Sequence, residues 1–446
     1  MKTPSVERSG AHALGAGQGL WERAKRVIPG GSMLFSKRPE LWLPDLWPAY
    51  FSRAEGHRVW DLEGRELIDM LFAVGQSTLG YGHPEVDAAV RDVIAAGNMS
   101  SLNCPEEVGL AERLVELHPW ADMVRFARTG GEGNAIAIRI ARGATGKDAI
   151  AFCGYHGWHD WYLAANLGSD DSLRGYLLPG LEPNGVPSAL RGTVRPFEYN
   201  DIAGLERILA AGDVGTICME VSRSFGPAND FLQRVRRLAT ERGVVLLFDE
   251  CTSGFRQTFG GLHKHYGVDP DIATFSKALG NGYAVTAVLG RREVMEAAQS
   301  SFISSTFWTE RIGAAAGLRT LEVMERTRSW ERITATGLSI MDRWKRLATA
   351  HGVAIQVSGL PALAALSFSG PNALAYKTLL AQEMLAKGYL ASTMVYVSTA
   401  HTPEVVDGYF EALDPVFRTI RECEDGRDVA SLLQGRVCET GFKRLA

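Results

Sequence analysis

A chain of 446 residues with 46% hydrophobic content is long enough to bury a large core and to divide into two domains. Its formal net charge of −4 excludes the basic footprint of a nucleic-acid-binding protein or of one held to an anionic membrane. Six cysteines (Cys104, Cys153, Cys218, Cys251, Cys423 and Cys438) lie scattered without a CxxC pair, which points to reduced core thiols and a cytoplasmic protein.

Residues 1–19 are rich in Gly, Ala and Ser and are expected to be flexible; the charges through Arg8 and again from Trp21 to Arg26 fit neither a signal peptide nor a membrane span. A short helix over 21–27 is broken by Pro29-Gly30-Gly31-Ser32, and an aromatic loop runs to Tyr50. The stretch 56–69 alternates about an acidic glycine turn and predicts a β-hairpin beside the main sheet. Helices follow over 84–96, opened by Pro84, and over 105–118. Next comes a strand over 123–127, the turn Thr129-Gly130-Gly131-Glu132-Gly133, and a helix over 134–142. Glycines at such a turn let backbone N–H groups crowd an anion, and the helix dipole adds a favourable field, so this is a candidate phosphate cradle. It lacks the GxxxxGK[ST] spacing of an ATP-binding loop.

A strand over 149–152 opens onto Cys153-Gly154-Tyr155-His156-Gly157-Trp158-His159-Asp160-Trp161. His156, His159 and Asp160 are close in sequence, but no distant ligand cluster joins them and no metal is expected. Tyr155 or His156 offers a flat face for stacking on a cofactor ring, and Trp158, Trp161 and Trp308 are a candidate platform for a sugar or aryl ring. A loop-rich section through Pro196 gives way to a helix over 202–210, a strand over 214–219 ending on Glu220, and a helix over 231–242.

The apolar run from Val244 to Phe248 then ends abruptly on Asp249 and Glu250. A further strand over 272–275 runs into Ser276-Lys277-Ala278-Leu279-Gly280-Asn281-Gly282, which sets one lysine among small and apolar residues where its amine can lose a proton and act as a nucleophile. In a parallel sheet, Asp249 and Lys277 project into one crevice from neighbouring strand ends. Such a pair suits pyridoxal phosphate, with the lysine forming the internal Schiff base and the aspartate keeping the pyridine nitrogen protonated. The same residues also fit an ordinary buried ion pair. The recurring βα alternation predicts a doubly wound α/β domain. From about 310 the texture changes to helices through 326 and over 330–350, strands over 353–357 and 364–368, a helix over 373–387, a strand over 390–397 and a helix over 403–421. The expected division is a flexible 1–19, a small-domain segment 20–68, a large domain 69–309 and a small α+β domain 310–446.

Taken in order, Thr129-Gly130-Gly131-Glu132, Tyr155-His156-Gly157, Glu220, Phe248-Asp249-Glu250-Cys251-Thr252-Ser253-Gly254-Phe255-Arg256 and Ser276-Lys277-Ala278 resemble the class III aminotransferases, closest to the glutamate-1-semialdehyde aminomutase-like branch. The resemblance implies a fold type I pyridoxal-phosphate enzyme acting as a homodimer with shared active sites. Lys277 is then the Schiff-base lysine and Asp249 the partner of the pyridine nitrogen. It further implies that Gly130 and Gly131 hold the phosphate, Tyr155 and Cys251 flank the ring, Thr252 reaches the phenolic oxygen, Glu220 supports the site, and Thr306 is lent to the phosphate by the partner subunit.

Three positions depart from that pattern. Gly131 stands where Ser or Thr is usual, Lys37 followed by Arg38 stands where the aminomutase has a carboxylate-clamping arginine, and Thr393 stands where it has a glutamate. An ammonium does not replace a bidentate fork. The last two changes fall on the substrate side, so the expected reaction is transfer between an amino donor and a separate carbonyl acceptor. The aminomutase reaction and a cofactor-binding module without turnover are the alternatives. Segments 153–162 and 396–402 are also similar to aminotransferases of bacterial sugar pathways, which makes a sugar or other small carbonyl compound a candidate substrate.

Overall fold

Short runs of aliphatic and β-branched residues, most followed by a helix, build a seven-stranded central sheet. In the computed structural model, which describes residues 15–168, 182–222 and 224–441, its strands stand in the order Met123–Ala127, Thr286–Gly290, Ile272–Phe275, Val245–Asp249, Val214–Glu220, Ala149–Cys153, Val194–Pro196. Thr286–Gly290 is antiparallel to both its neighbours, and the other pairings are parallel. Alternate residues feed opposite faces: Ile150, Phe152 and Leu247 pack with Ile136 and Ile140, while Ala151, Leu246 and Phe248 pack with Leu205, Leu232 and Val235. This is the doubly wound α/β architecture expected from the alternation of elements.

Register places the site. Glu220 pairs with Asp249, and Asp249 pairs with Thr274, so three polar side chains stand in a row across the carboxyl ends of adjacent parallel strands.

Two smaller sheets flank this layer. Phe51–Glu55, Arg58–Asp61 and Glu66–Asp69 form an antiparallel meander completed by Tyr389–Leu390, which runs parallel to Glu66–Asp69. The hairpin therefore joins a sheet of its own rather than lying beside the main one. Ile355–Ser358, Leu363–Phe368 and Met394–Tyr396 make the third sheet. The single strand expected over 390–397 is two short strands in different sheets, joined through Ala391, Ser392 and Thr393. Both small sheets share a core with the helices Ser329–His351, Ala373–Ala386 and Pro403–Glu424, centred on Trp344, Tyr376, Tyr409 and Phe417.

Two helices begin earlier than predicted. Gly130–Thr145 starts inside the glycine turn because Thr129 and Glu132 form a capping box, each side chain bonding the other's backbone N–H. Ala16–Val27 starts within the stretch expected to be flexible, and Gly17 lets it approach the Pro48 carbonyl, which a Cβ would meet at 2.2 Å. The remainder of that stretch, residues 1–14, and part of the loop-rich section, residues 169–181, lie outside the described residues.

Candidate active site

Asp249 is the centre of the polar floor and is almost fully buried. Its Oδ2 accepts from Asn134 Nδ2 at 2.7 Å and from His156 Nδ1 at 2.9 Å. Its Oδ1 accepts the Cys251 N–H at 3.0 Å, while the Thr274 hydroxyl, 3.4 Å away, donates its one proton to Asn134 Oδ1 at 2.8 Å. His156 Nε2 faces the Cys153 carbonyl at 3.2 Å. Both ring neighbours are pure acceptors, so the doubly protonated imidazolium satisfies both. Burial opposes its charge, but the Cys218 sulfur and Asp249 outweigh it and hold the imidazole well above its ordinary value. Burial likewise pushes the Asp249 carboxyl up, and His156 reverses this and keeps it low.

The amine stands beside this floor. Lys277 Nζ donates to Thr252 Oγ1 at 3.0 Å, on a backbone held at φ 28°, a left-handed conformation that a lysine adopts only under constraint. The Thr252 carbonyl accepts from Arg256 Nε at 2.6 Å, and Arg256 Nη2 donates to the Gly75 carbonyl. Arg256 is fully buried, and desolvation pulls its guanidinium down to about 10. Gly75 closes an unusual turn in which Phe72, Ala73, Val74 and Gly75 all have positive φ, between 41° and 77°. Only glycine fits its last position, because a Cβ there would lie 2.7 Å from the Tyr396 ring.

The glycine turn closes the far side. A Cβ on Gly130 would lie 3.0 Å from Cys251 Sγ, so that sulfur packs directly on the helix start; burial pushes its thiol well up and keeps it protonated. Gly131 is covered by the loop from Gly157 to His159. Glu220 Oε2 accepts the Tyr155 N–H at 3.0 Å, which fixes the start of that loop. Arg128 ties the turn Thr306–Thr309 to the neighbourhood of Thr129 by donating to the carbonyls of Phe307 and Trp308, and leaves Thr306 exposed.

The structure thus brings Gly130, Cys251, Asp249, Thr252 and Lys277 together, with Glu220 and Tyr155 adjoining. The substrate-side residues are dispersed. Lys37 lines a cavity of about 1160 Å³ shared with Tyr50, Asp69, Gln76, Gly282 and Tyr396. Arg38 is buried with its guanidinium 5.6 Å from the Phe35 ring. Trp308 packs against the large-sheet core, and Thr393 binds Leu366 N–H through its carbonyl, so neither lines that cavity. The tryptophan platform does not form, since Trp161 is buried against His156 while Trp158 is exposed. His156 is no stacking face either; it is buried beneath Asp249's carboxylate. Asn134 and Arg256 were not singled out as site residues from sequence. Asn134 lies four residues after Gly130, on the face of the helix that the glycine start presents to the site.

The sequence profile of the class-III aminotransferases matches residues 45–402. The chain is 36% identical over 370 residues to the 3-aminobutyryl-CoA aminotransferase of Cloacimonas acidaminovorans, covering 81% of this chain and 85% of that one. It is 34% identical over 430 residues to the glutamate-1-semialdehyde 2,1-aminomutase of Methanothrix thermoacetophila, covering 90% and 96%. Among solved structures it resembles the FumI protein of Sphingopyxis sp. MTA144 in its PLP internal aldimine form, with TM-score 0.83 and 26% identity, over 94% of this chain and 99% of that one. The omega-transaminase of Sphaerobacter thermophilus superposes with TM-score 0.79 and 25% identity, over 91% and 98%. The chain is a member of the class-III aminotransferases, pyridoxal-phosphate-dependent enzymes of fold type I.

Proposed function

We propose that this enzyme moves an amino group between two separate molecules, an amino donor and a carbonyl acceptor, with Lys277 as the proton-carrying amine and Asp249 as the anchor of the cofactor ring. One observation carries the assignment: Lys277 Nζ is held by Thr252 Oγ1 at 3.0 Å, while Asp249, three positions before Thr252, is kept ionised by His156.

The residues present fit pyridoxal phosphate. Thr274's long contact leaves Asp249 Oδ1 with accepting capacity for a protonated ring nitrogen. The first N–H groups of the helix Gly130–Thr145 have no acceptor within the helix and suit a phosphate. When bound, the cofactor supplies an electron sink for the carbon that carries the amine. Lys277 Nζ takes the proton from that carbon and returns it at the other end of the transfer, and Thr252 Oγ1 aims the amine between deliveries. Tyr155 and Cys251 would bracket the ring, with Glu220 holding the Tyr155 backbone.

The reading includes a homodimer in which Thr306 serves the phosphate of the second subunit. Its support is a set of exposed aromatic side chains near the Gly130 helix and in the Thr306 turn: Trp158 beside Gly131, Phe302 whose carbonyl accepts from Arg139, and Phe307. It also includes a large domain over 69–309 and a small one from 20–68 and 310–446, supported by the sheet that Tyr389–Leu390 shares with Glu66–Asp69. A cytoplasmic setting is supported by the burial of all six cysteines within the fold. Lys37 lies on the substrate side, and the aromatic lining of its cavity suits a sugar or other small carbonyl compound.

The test is a two-step discharge. A panel of amines, amino acids and amino sugars is added to the cofactor-loaded protein, its absorbance is followed to the amine form, and a second carbonyl compound is then added to restore it. Turnover of a single amino aldehyde with no separate acceptor would instead establish the aminomutase reading, which the 34% identical relative keeps in play.

A further inference from the structure

At the phosphate end of the site, the hydroxyl expected at position 131 is missing, and the space it would fill is taken by another side chain. A Cβ built on Gly131 would lie 3.1 Å from His159 Nδ1 and 3.2 Å from His159 Cε1, so a serine or threonine there would press on this imidazole. The close approach depends on Gly157, at φ +106°, whose own Cβ would fall 3.0 Å from Gly131 Cα. The Trp158 indole stacks on the imidazole, with ring centroids 4.4 Å apart and planes 29° from parallel, and fixes its orientation. His159 Nδ1 is shut off from solvent and has no hydrogen-bond partner among the described residues. A buried polar atom left in that state is costly, and a ligand that pairs with it removes the cost.

We propose that His159 is a phosphate ligand of the cofactor, its Nδ1–H donating to a phosphate oxygen at the start of the helix Gly130–Thr145 in place of the hydroxyl that Gly131 lacks. The inference rests on the pyridoxal-phosphate site described above. Burial lowers the His159 imidazole despite the opposing charges of Glu132 and Asp160, and a phosphate beside it opposes that shift; Nδ1–H is a donor in the charged ring and in the matching neutral tautomer alike. Gly131 and His159 then form one exchangeable unit, in which a small residue at one position admits the ring at the other.

The experiment measures cofactor affinity and release by absorbance for the starting protein, His159→Ala, Gly131→Ser and the double variant. His159→Ala is expected to weaken binding by about tenfold or more, the effect of losing a hydrogen bond to a charged group. Gly131→Ser alone is expected to weaken it as well, because the new side chain meets the imidazole. The double variant is expected to recover most of the lost affinity, since the serine hydroxyl then occupies the vacated space; strong coupling of this kind marks groups that share one site. A loss through general damage to the fold would not be recovered. Unchanged affinity in His159→Ala, or a double variant as weak as the two single losses combined, would overturn the assignment. Absence of any cofactor band in the starting protein, with no mass increase at Lys277 after borohydride, would overturn the site reading itself and this inference with it.

Discussion

His156 Nδ1 and Asp249 Oδ2 meet at 2.9 Å in a closed pair beneath the site, both shut away from water. Because His156 also has the Cys153 carbonyl on its other nitrogen, it holds its charge and keeps the carboxylate ionised. Replacing His156 with Gln removes that charge while keeping a polar group. The expected result is a fall in kcat of about 10- to 100-fold, with Asp249 taking up a proton more readily. A pH titration of the bound cofactor's absorbance checks it, since the ring nitrogen then loses its ionised partner at higher pH than in the starting protein.

The same pair sets a stability profile. The His156 value is raised above its ordinary 6.5, so its contribution is complete below that pH and is lost as pH rises through the higher folded value. The Asp249 value is depressed below 3.8, so its contribution is present above that pH and is lost as pH falls through the lower folded value. Urea midpoints measured across pH are expected to decline on the alkaline side in the parent protein and to decline less there in His156→Gln.

Lys277→Ala is expected to reduce transfer by at least about 10³-fold, as removal of a positioned proton carrier does. On the proposed assignment Asp249 and the Gly130 turn still hold the cofactor, so the variant is expected to bind it reversibly. Borohydride followed by mass spectrometry is expected to leave the variant without added mass and the parent protein with one adduct at Lys277.

Arg256 connects the Thr252 carbonyl to the Gly75 carbonyl from a fully buried position. Arg256→Met removes both bonds and is expected to cost about 2–4 kcal/mol, read from chemical denaturation. Gln76 follows directly on the tethered turn and lines the cavity, so KM for the larger substrate is expected to rise more than kcat falls.

Val74 sits at φ 64° and ψ 31°, a conformation that β-branched residues avoid. Val74→Gly is expected to stabilise the fold by about 1 kcal/mol through relief of that strain, while Gly75→Ala destabilises it because its Cβ meets the Tyr396 ring. Denaturation midpoints of the two variants should move in opposite directions.

Much of the architecture was legible because it rests on periodicity. The runs ending at Glu220, Asp249 and Phe275 are short, apolar and bounded by helices, and they are adjacent parallel strands. Lys277 was legible because its neighbours are small and apolar. What escaped depended on pairing between distant segments. Nothing local in residues 56–69 says that their sheet is completed by Tyr389–Leu390, and nothing in 390–397 says that the chain changes sheets at Ala391. His156 looked like an aromatic face, yet its place under Asp249 follows from the strand order. The early start of the Gly130 helix was readable, since Thr129-Gly130-Gly131-Glu132 carries the capping-box spacing.

The two-residue strand Tyr389–Leu390 closes a layer begun by the first three strands among the described residues. During synthesis those early strands emerge long before the segment that covers their open edge. Until the segment around Tyr389 leaves the ribosome, Glu66–Asp69 presents an unpaired border to any passing strand, which makes this border a place where newborn chains are open to mispairing.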